Sequence, residues 1–348
     1  MKKWIAFLLT AILTAGFSLP AGAAEAASRA RAVEVSLNSI EKIMEEYNLD
    51  LKTIRNNLEI AQNNSEDHEG EDDEDYYDNL YDIAKEQYEQ NVHGAVLSAK
   101  RAYLLYCADN DRLAAAQNAA DSARKSLNSA LQSLSLGYAS QKDVDALRQQ
   151  ADQAQNALTR LDDQLTQEKA SLRKLLNLSN GVIMNINPVS DGDFDFSGIP
   201  AIRYGEDVIM MKGNSTKIQA AKLAYQYQED YHSTNAELDN AYIALQQVQR
   251  SEETAFKKLY DALNSSYTVY QQDLSNIKQK ESELEFEQNA FSLGFSTQKA
   301  VDGKAQELKA AKTALADDRN ALFLNYFGYM NMKIGYSLPD SLLPQTGA

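Results

Sequence analysis

The chain has 348 residues, a net charge of −16 and a single cysteine. A surface this acidic repels nucleic acid and anionic lipid, and one thiol cannot build a disulfide framework. Five prolines in the whole chain leave room for very long helices.

Lys2 and Lys3, the uncharged stretch Trp4–Leu19 and the small-residue run Ala21-Gly22-Ala23 read as a secretory signal peptide over residues 1–23. A retained anchor is the other reading, and the stretch is short for one. Cleavage would take the net charge to −18. No later apolar run approaches the ~20 residues of a spanning helix. The mature chain is therefore expected to be soluble, or held to an envelope assembly by its own surfaces.

A first repeat is expected over 24–178. It opens with a short helix over about 37–63. Residues 64–76 follow as a loop, and eight of the ten from Glu66 to Asp75 are acidic. That run lacks the alternating spacing of a calcium loop, and blocks of like charge repel, so it reads as solvated. A long arm follows over about 77–136, roughly 90 Å at helical rise. Its apolar positions Leu113, Ala116, Ala120, Ala123, Leu127, Ala130 and Leu134 step by three and four. A second arm over 141–177 carries Val144, Leu147, Ala151, Ala154, Leu158, Leu161, Leu165, Leu172 and Leu175, and Glu168 alone breaks the pattern. These are coiled-coil seams. Cys107, after Leu104, Leu105 and Tyr106, reads as a small buried apolar residue. Between the arms, at 135–141, Gly137 can end one helix in a left-handed conformation and Ser140 can cap the next.

Residues 179–204 carry Gly181, Pro188, Gly192, Gly198 and Pro200 and read as an ordered linker, with a short strand expected at Val182–Ile186. The second repeat, 205–335, begins with a short helix over about 205–232. Thr234 and Glu237 form a capping box that predicts a fresh helix start. The tip then returns at 292–298. The segments Ser135–Asp145 and Ser292–Asp302 are identical at seven of eleven positions, at an offset of 157. Val144, Ala154, Leu158 and Leu165 recur as Val301, Ala311, Leu315 and Leu322 at that same offset. This is an internal duplication. A weaker match pairs Ile43-Met44 and Asn48 with Ile209-Met210 and Asn214, beyond which the apolar positions drift by one. The tail, 336–348, contains Leu343-Pro-Gln-Thr-Gly347, which resembles a sorting pentapeptide but lacks the apolar span and basic tail such a signal needs. His68, His93 and His232 have no metal-ligand spacing, and no metal site, cofactor site or catalytic set is expected. The fold class is all-α: duplicated long antiparallel coiled-coil hairpins with little or no β.

The duplicated tip motif, Leu136-Gly137…Asp143-Val144 and Leu293-Gly294…Ala300-Val301, resembles that of the TolC-like outer membrane efflux proteins. So does a short helix with an Asn ahead of each long arm, here Asn48 and Asn214. The resemblance spans nearly all of the mature chain. It implies a homotrimer whose subunits line a helical tunnel. Long helices would lie beside coaxial pairs of shorter ones, with 141–177 and 206–232 together matching one long helix. The tips would dock a membrane fusion (adaptor) protein that bridges to an inner-membrane pump. Substrate would pass without chemistry.

On this reading the docking residues are Leu136, Gly137, Tyr138, Ser140 and Gln141 in the first tip. In the second they are Leu293, Gly294, Phe295, Thr297 and Gln298. The aromatics could equally just close the hairpins. Asp143, Asp145 and Asp302 are either tunnel-mouth acids or plain first-turn acids. Two departures stand out. Ala300 replaces the tip Asp of the second copy. The family also inserts a β-hairpin between the short and long helices of each half, and neither 64–76 nor 230–236 offers ten alternating lipid-facing residues per strand. The barrel is expected to be missing, and direct membrane insertion with it. The rival reading is an exported coiled-coil spacer or surface protein without a conduit. An adaptor would need β-rich domains around a single hairpin.

Overall fold

The computed structural model describes residues 32–71, 73–230, 234–339 and 342–343. The signal peptide, Asp72, His232 and most of the sorting-like pentapeptide lie outside the described residues. In chain order the elements are β1 (Ala32–Val35), α1 (Ile40–Tyr47), α2 (Leu49–Asp67), α3 (Glu74–Ser135) and α4 (Gln141–Leu175). There follow β2 (Ile183–Ile186), α5 (Tyr204–Asn214), α6 (Thr216–Asp230), α7 (Asn235–Ser292) and α8 (Gln298–Lys333).

Helices α3 and α7 have 62 and 58 residues, which makes them about 90 Å long. Each packs along its tip half against the arm that follows it, α4 or α8, and along its other half against a shorter helix, α2 or α6. The seams are where the three-four spacing places them. Every seam residue named above in α3 and α4 is buried or half-buried, among mostly exposed neighbours. Val144 and Leu172 on α4 and Leu322 on α8 are fully enclosed, and Leu165 is buried.

The coaxial stacking differs from the expected pairing of 141–177 with 206–232. Helix α4 abuts α2, from its own half. The Asn48 side chain accepts from the Leu51 amide (2.9 Å) to start α2, and its Nδ2 donates to the Leu175 carbonyl at the end of α4 (3.0 Å). Asn177, just past α4, donates to the Tyr47 carbonyl (3.1 Å). One carboxamide thus satisfies orphan groups on two helix ends. In the second half the Thr216 amide donates to the Gly335 carbonyl (3.0 Å), joining α6 to the end of α8.

The short helices 37–63 and 205–232 are therefore each broken in two, at Asn48 and at Ser215. Ser215 Oγ accepts from the Ile218 amide (3.3 Å), so Ser215, not Asn214, is the counterpart of Asn48. Met44, Asn48 and Leu51 correspond to Met211, Ser215 and Ile218, all buried, whereas Ile209 is 72% exposed. The true register is one residue beyond the sequence match, which is the drift seen past the Asn.

Two cores gather at this waist. The first joins β1, β2, α1, the middle of α3 and the end of α4 through Val35, Ile40, Met44, Tyr103, Leu172 and Met184. The second joins α5, α7, α8 and the tail through Met211, Phe256, Leu259, Leu322, Tyr329 and Leu338. β1 and β2 pair in parallel, Val33 opposite Met184 and Val35 opposite Ile186. Lys100 on α3 lies 4.0 Å from the Phe327 ring centre on α8 and ties the halves together.

At the end away from the tips the helices extend into the acidic segment. α2 runs to Asp67 and α3 starts at Glu74, which leaves 68–73 as the connection. Glu74 and Asp75 sit in the first turn of α3, where the helix dipole favours acids. Gly70, at φ +79°, donates its amide to Glu74 (2.7 Å), and His68 stacks on Tyr77 at 3.7 Å. In the second half Asp230 ends α6 and Thr234 caps α7, as its capping box predicts. Tyr76 and Tyr227 approach to 6.1 Å, so the two junctions share one end of the molecule. Among the described residues no strand lies at either junction.

Candidate docking tips

Both long helices end the same way. The Tyr138 amide donates to Ser133 O (2.8 Å) and the Gly137 amide to Leu134 O (3.0 Å). Phe295 and Gly294 repeat this onto Ala290 O (2.8 Å) and Phe291 O (3.0 Å). This paired closure demands a left-handed residue, and Gly137 and Gly294 supply it at φ +79° and +78°. A Cβ at either would meet nothing within 4 Å, so the glycines serve conformation rather than close packing.

The return helices are capped in turn. Ser140 Oγ accepts from the Asp143 amide, and the Asp143 carboxylate accepts from the Ser140 hydroxyl (2.7 Å) and amide (3.3 Å). Those two bonds, the hydroxyl's first, hold Asp143 below the usual carboxylate range. Thr297 accepts from the Ala300 amide (3.3 Å), and with Ala300 in place of an acid the box is half made. Gln141 donates to Asp145 (2.9 Å) and Gln298 to Asp302 (2.8 Å). Asp145 also pairs with Arg148. All three acids are thus engaged by partners at the start of their own helices, Asp143 in the first turn and Asp145 and Asp302 just past it.

The ordered backbone of each tip displays apolar side chains to solvent. Leu136 and Leu293 are 69% and 70% exposed, Tyr138 and Phe295 85% and 86%. The aromatics do not fold back to close the hairpins. Each tip therefore presents an exposed Leu-Gly-aromatic point beside a capping hydroxyl.

Elsewhere, His68, Glu71 and Asp73 bring ligand atoms within 4.8 Å of one another, a convergence across the acidic connection that linear spacing did not reveal. His68 already turns Nδ1 to the Asn64 carbonyl (2.7 Å). Cys107 is buried, and burial pushes its thiol up to about 11.

Residues 78–178, the first hairpin with its tip, match the family model of the outer membrane efflux proteins. The chain resembles that family, and its fold is TolC-like. The structure described as CusC matches with a TM-score of 0.58 at 14% identity, over 91% of this chain and 96% of that one. The outer membrane protein VceC of Vibrio cholerae matches at 0.58 and 12%, over 86% and 96%. The CmeC outer membrane channel of Campylobacter jejuni matches at 0.58 and 10%, over 94% and 96%. No curated protein matches the sequence. The likeness to outer membrane efflux proteins thus rests on sequence for the first hairpin and on fold for the second. No described helix is long and apolar enough to cross a membrane.

Proposed function

We propose that the chain is an exported TolC-like conduit subunit that assembles as a homotrimer and docks an adaptor protein through its two tips. The observation that carries this is the twinned tip. Two hairpins related by duplication end in the same glycine closure and expose the same Leu-Gly-aromatic point, an arrangement that suits interface anchoring and does nothing for the core. The match of the first hairpin to the outer membrane efflux family supports it.

The chain works without catalysis, as a passage for substrate handed on from an inner-membrane pump. Asp143, Asp145 and Asp302 ring the mouth only as far as their helix-start duties allow. At the far end, 68–73 and the three residues between Asp230 and Thr234 are too short for strands of about 9–11 residues across a bilayer. The conduit is therefore held in the cell envelope by protein surfaces and not by its own barrel.

The double variant Tyr138→Ala, Phe295→Ala tests the docking assignment. Its affinity for the α-hairpin of a membrane fusion protein from the same cell should fall at least about tenfold, with helix content unchanged. Undiminished affinity would discard the assignment.

A further inference from the structure

Midway along the arms, the seams of both hairpins are interrupted by carboxyl groups. Glu168 stands at a seam position between Leu165 and Leu172, and Asp318 at one between Leu315 and Leu322. Glu168 on α4 lies beside Asp109 on α3, the Gln164 side chain reaching both, and Asp318 on α8 lies beside Asp273 on α7. The second pair lies one heptad nearer its tip, on both arms. Arg112 on α3 bonds to Asp109 on its own helix and to Asp317 on α8. Glu168, Asp109, Arg112, Asp317, Asp318 and Asp273 thus form one chain of polar side chains across all four arms.

That chain holds five carboxyl groups and one guanidinium. Gln164 donates to Asp109 and to Glu168 Oε1 (2.8 Å), yet Glu168 Oε2 and Asp273 Oδ2 are buried and find no donor among the described residues. Two ionised carboxylates in contact cannot hydrogen-bond each other, and buried acceptors without a donor are costly. One proton per pair supplies the missing donor.

We propose that this belt is a proton-binding site, in which each hairpin holds a shared carboxyl proton that latches its arms and whose loss parts them. The surroundings agree. Burial first, then the hydrogen bond and charge of Asp273 and the charge of Asp317, push Asp318 up to about 6. Burial and Asp109 push Glu168 up, against Gln164 and Arg112. Tyr106 on α3 faces Glu168, and Arg319, next along α8, is turned away to Asp191 and the Phe194 ring. Raised acids of this kind stabilise the latched form below their ordinary range and lose that effect as pH rises through the folded value. The latch is a property of one chain and does not depend on the conduit reading.

Hydrogen exchange of the purified chain between pH 5 and pH 8, corrected for intrinsic rates, reads the latch. Protection of amides around Asp273 and Asp318 should fall about tenfold across that range, and Asp318→Asn should keep it high throughout. Carboxyl carbon NMR of the unaltered chain should show the Asp318 carboxyl titrating near pH 6. That spectrum decides the matter if the variant fails to fold. Titration of Asp318 below pH 5, or the same loss of protection in Asp318→Asn, would overturn the proposal.

Discussion

The junction between α8 and the α5–α6 break hangs on Gly335, and its replacement by alanine separates two ways a glycine can matter. At Gly137 and Gly294 φ is near +79° with open space around the missing Cβ, so an alanine there costs only the left-handed penalty, about 1–2 kcal/mol. At Gly335 φ is +114°, and a Cβ would lie 2.2 Å from the Asn214 carbonyl oxygen and 2.7 Å from its carbon. That neighbour is backbone and cannot swing aside. Any retreat also stretches the 3.0 Å bond from the Thr216 amide to Gly335 O, worth about 0.5–1.5 kcal/mol. Conformational strain, the clash and the lost bond together come to about 3–5 kcal/mol. Urea unfolding followed by far-UV circular dichroism, at unchanged m, should rank Gly335→Ala well below Gly137→Ala and Gly294→Ala. Equal losses at all three sites would refute the idea that α8 is clamped against the α5–α6 break.

Leu172→Ala, in the first core and fully buried, should cost about 2–5 kcal/mol, and Leu131→Ala, 39% exposed on α3, under about 0.5 kcal/mol, by the same unfolding assay. Ser140→Ala removes the hydroxyl bond that contributes most to depressing Asp143 and leaves the backbone amide's bond in place. A depressed acid stabilises the fold above its unfolded value and loses that effect as pH falls through the folded one, so the gap in melting temperature between variant and parent at pH 7 should narrow in acid, down to what the lost bond from the Asp143 amide to Ser140 Oγ leaves. Cys107, with its thiol pushed up to about 11 by burial, should react with a thiol-specific disulfide reagent at pH 8 at least about a hundredfold faster once unfolded. Fast labelling of the folded chain would contradict its place in the core.

The parts of this fold that were legible in the sequence are those governed by local rules. Gly137, Ser140, Gly294 and Thr234 act where turn and cap chemistry puts them, and the three-four seams face one another. The parts that were hidden depend on distant partners. Ala32–Val35 is a strand only because Ile183–Ile186 lies beside it, and four residues carry too little pattern to announce that. Asn48 ends one helix and begins another because the end of α4 is there to receive its amide group. The Asn214 match misled because the break in the second half falls at Ser215, whose hydroxyl starts α6. At the tips the residues were readable but their exposure was not, since an aromatic beside a glycine turn can fold inward or outward with equal local ease. The polar belt did leave a trace, in Glu168 as the one interruption of an otherwise apolar seam.

The most direct trial of the account is the mass and axial view of the purified mature chain, by native mass measurement and electron microscopy together. A conduit subunit should give three copies in a ring with an open axis and paired tips at one end. A stable monomer, or a two-chain rod with no axial opening, would contradict it and leave a coiled-coil spacer in its place.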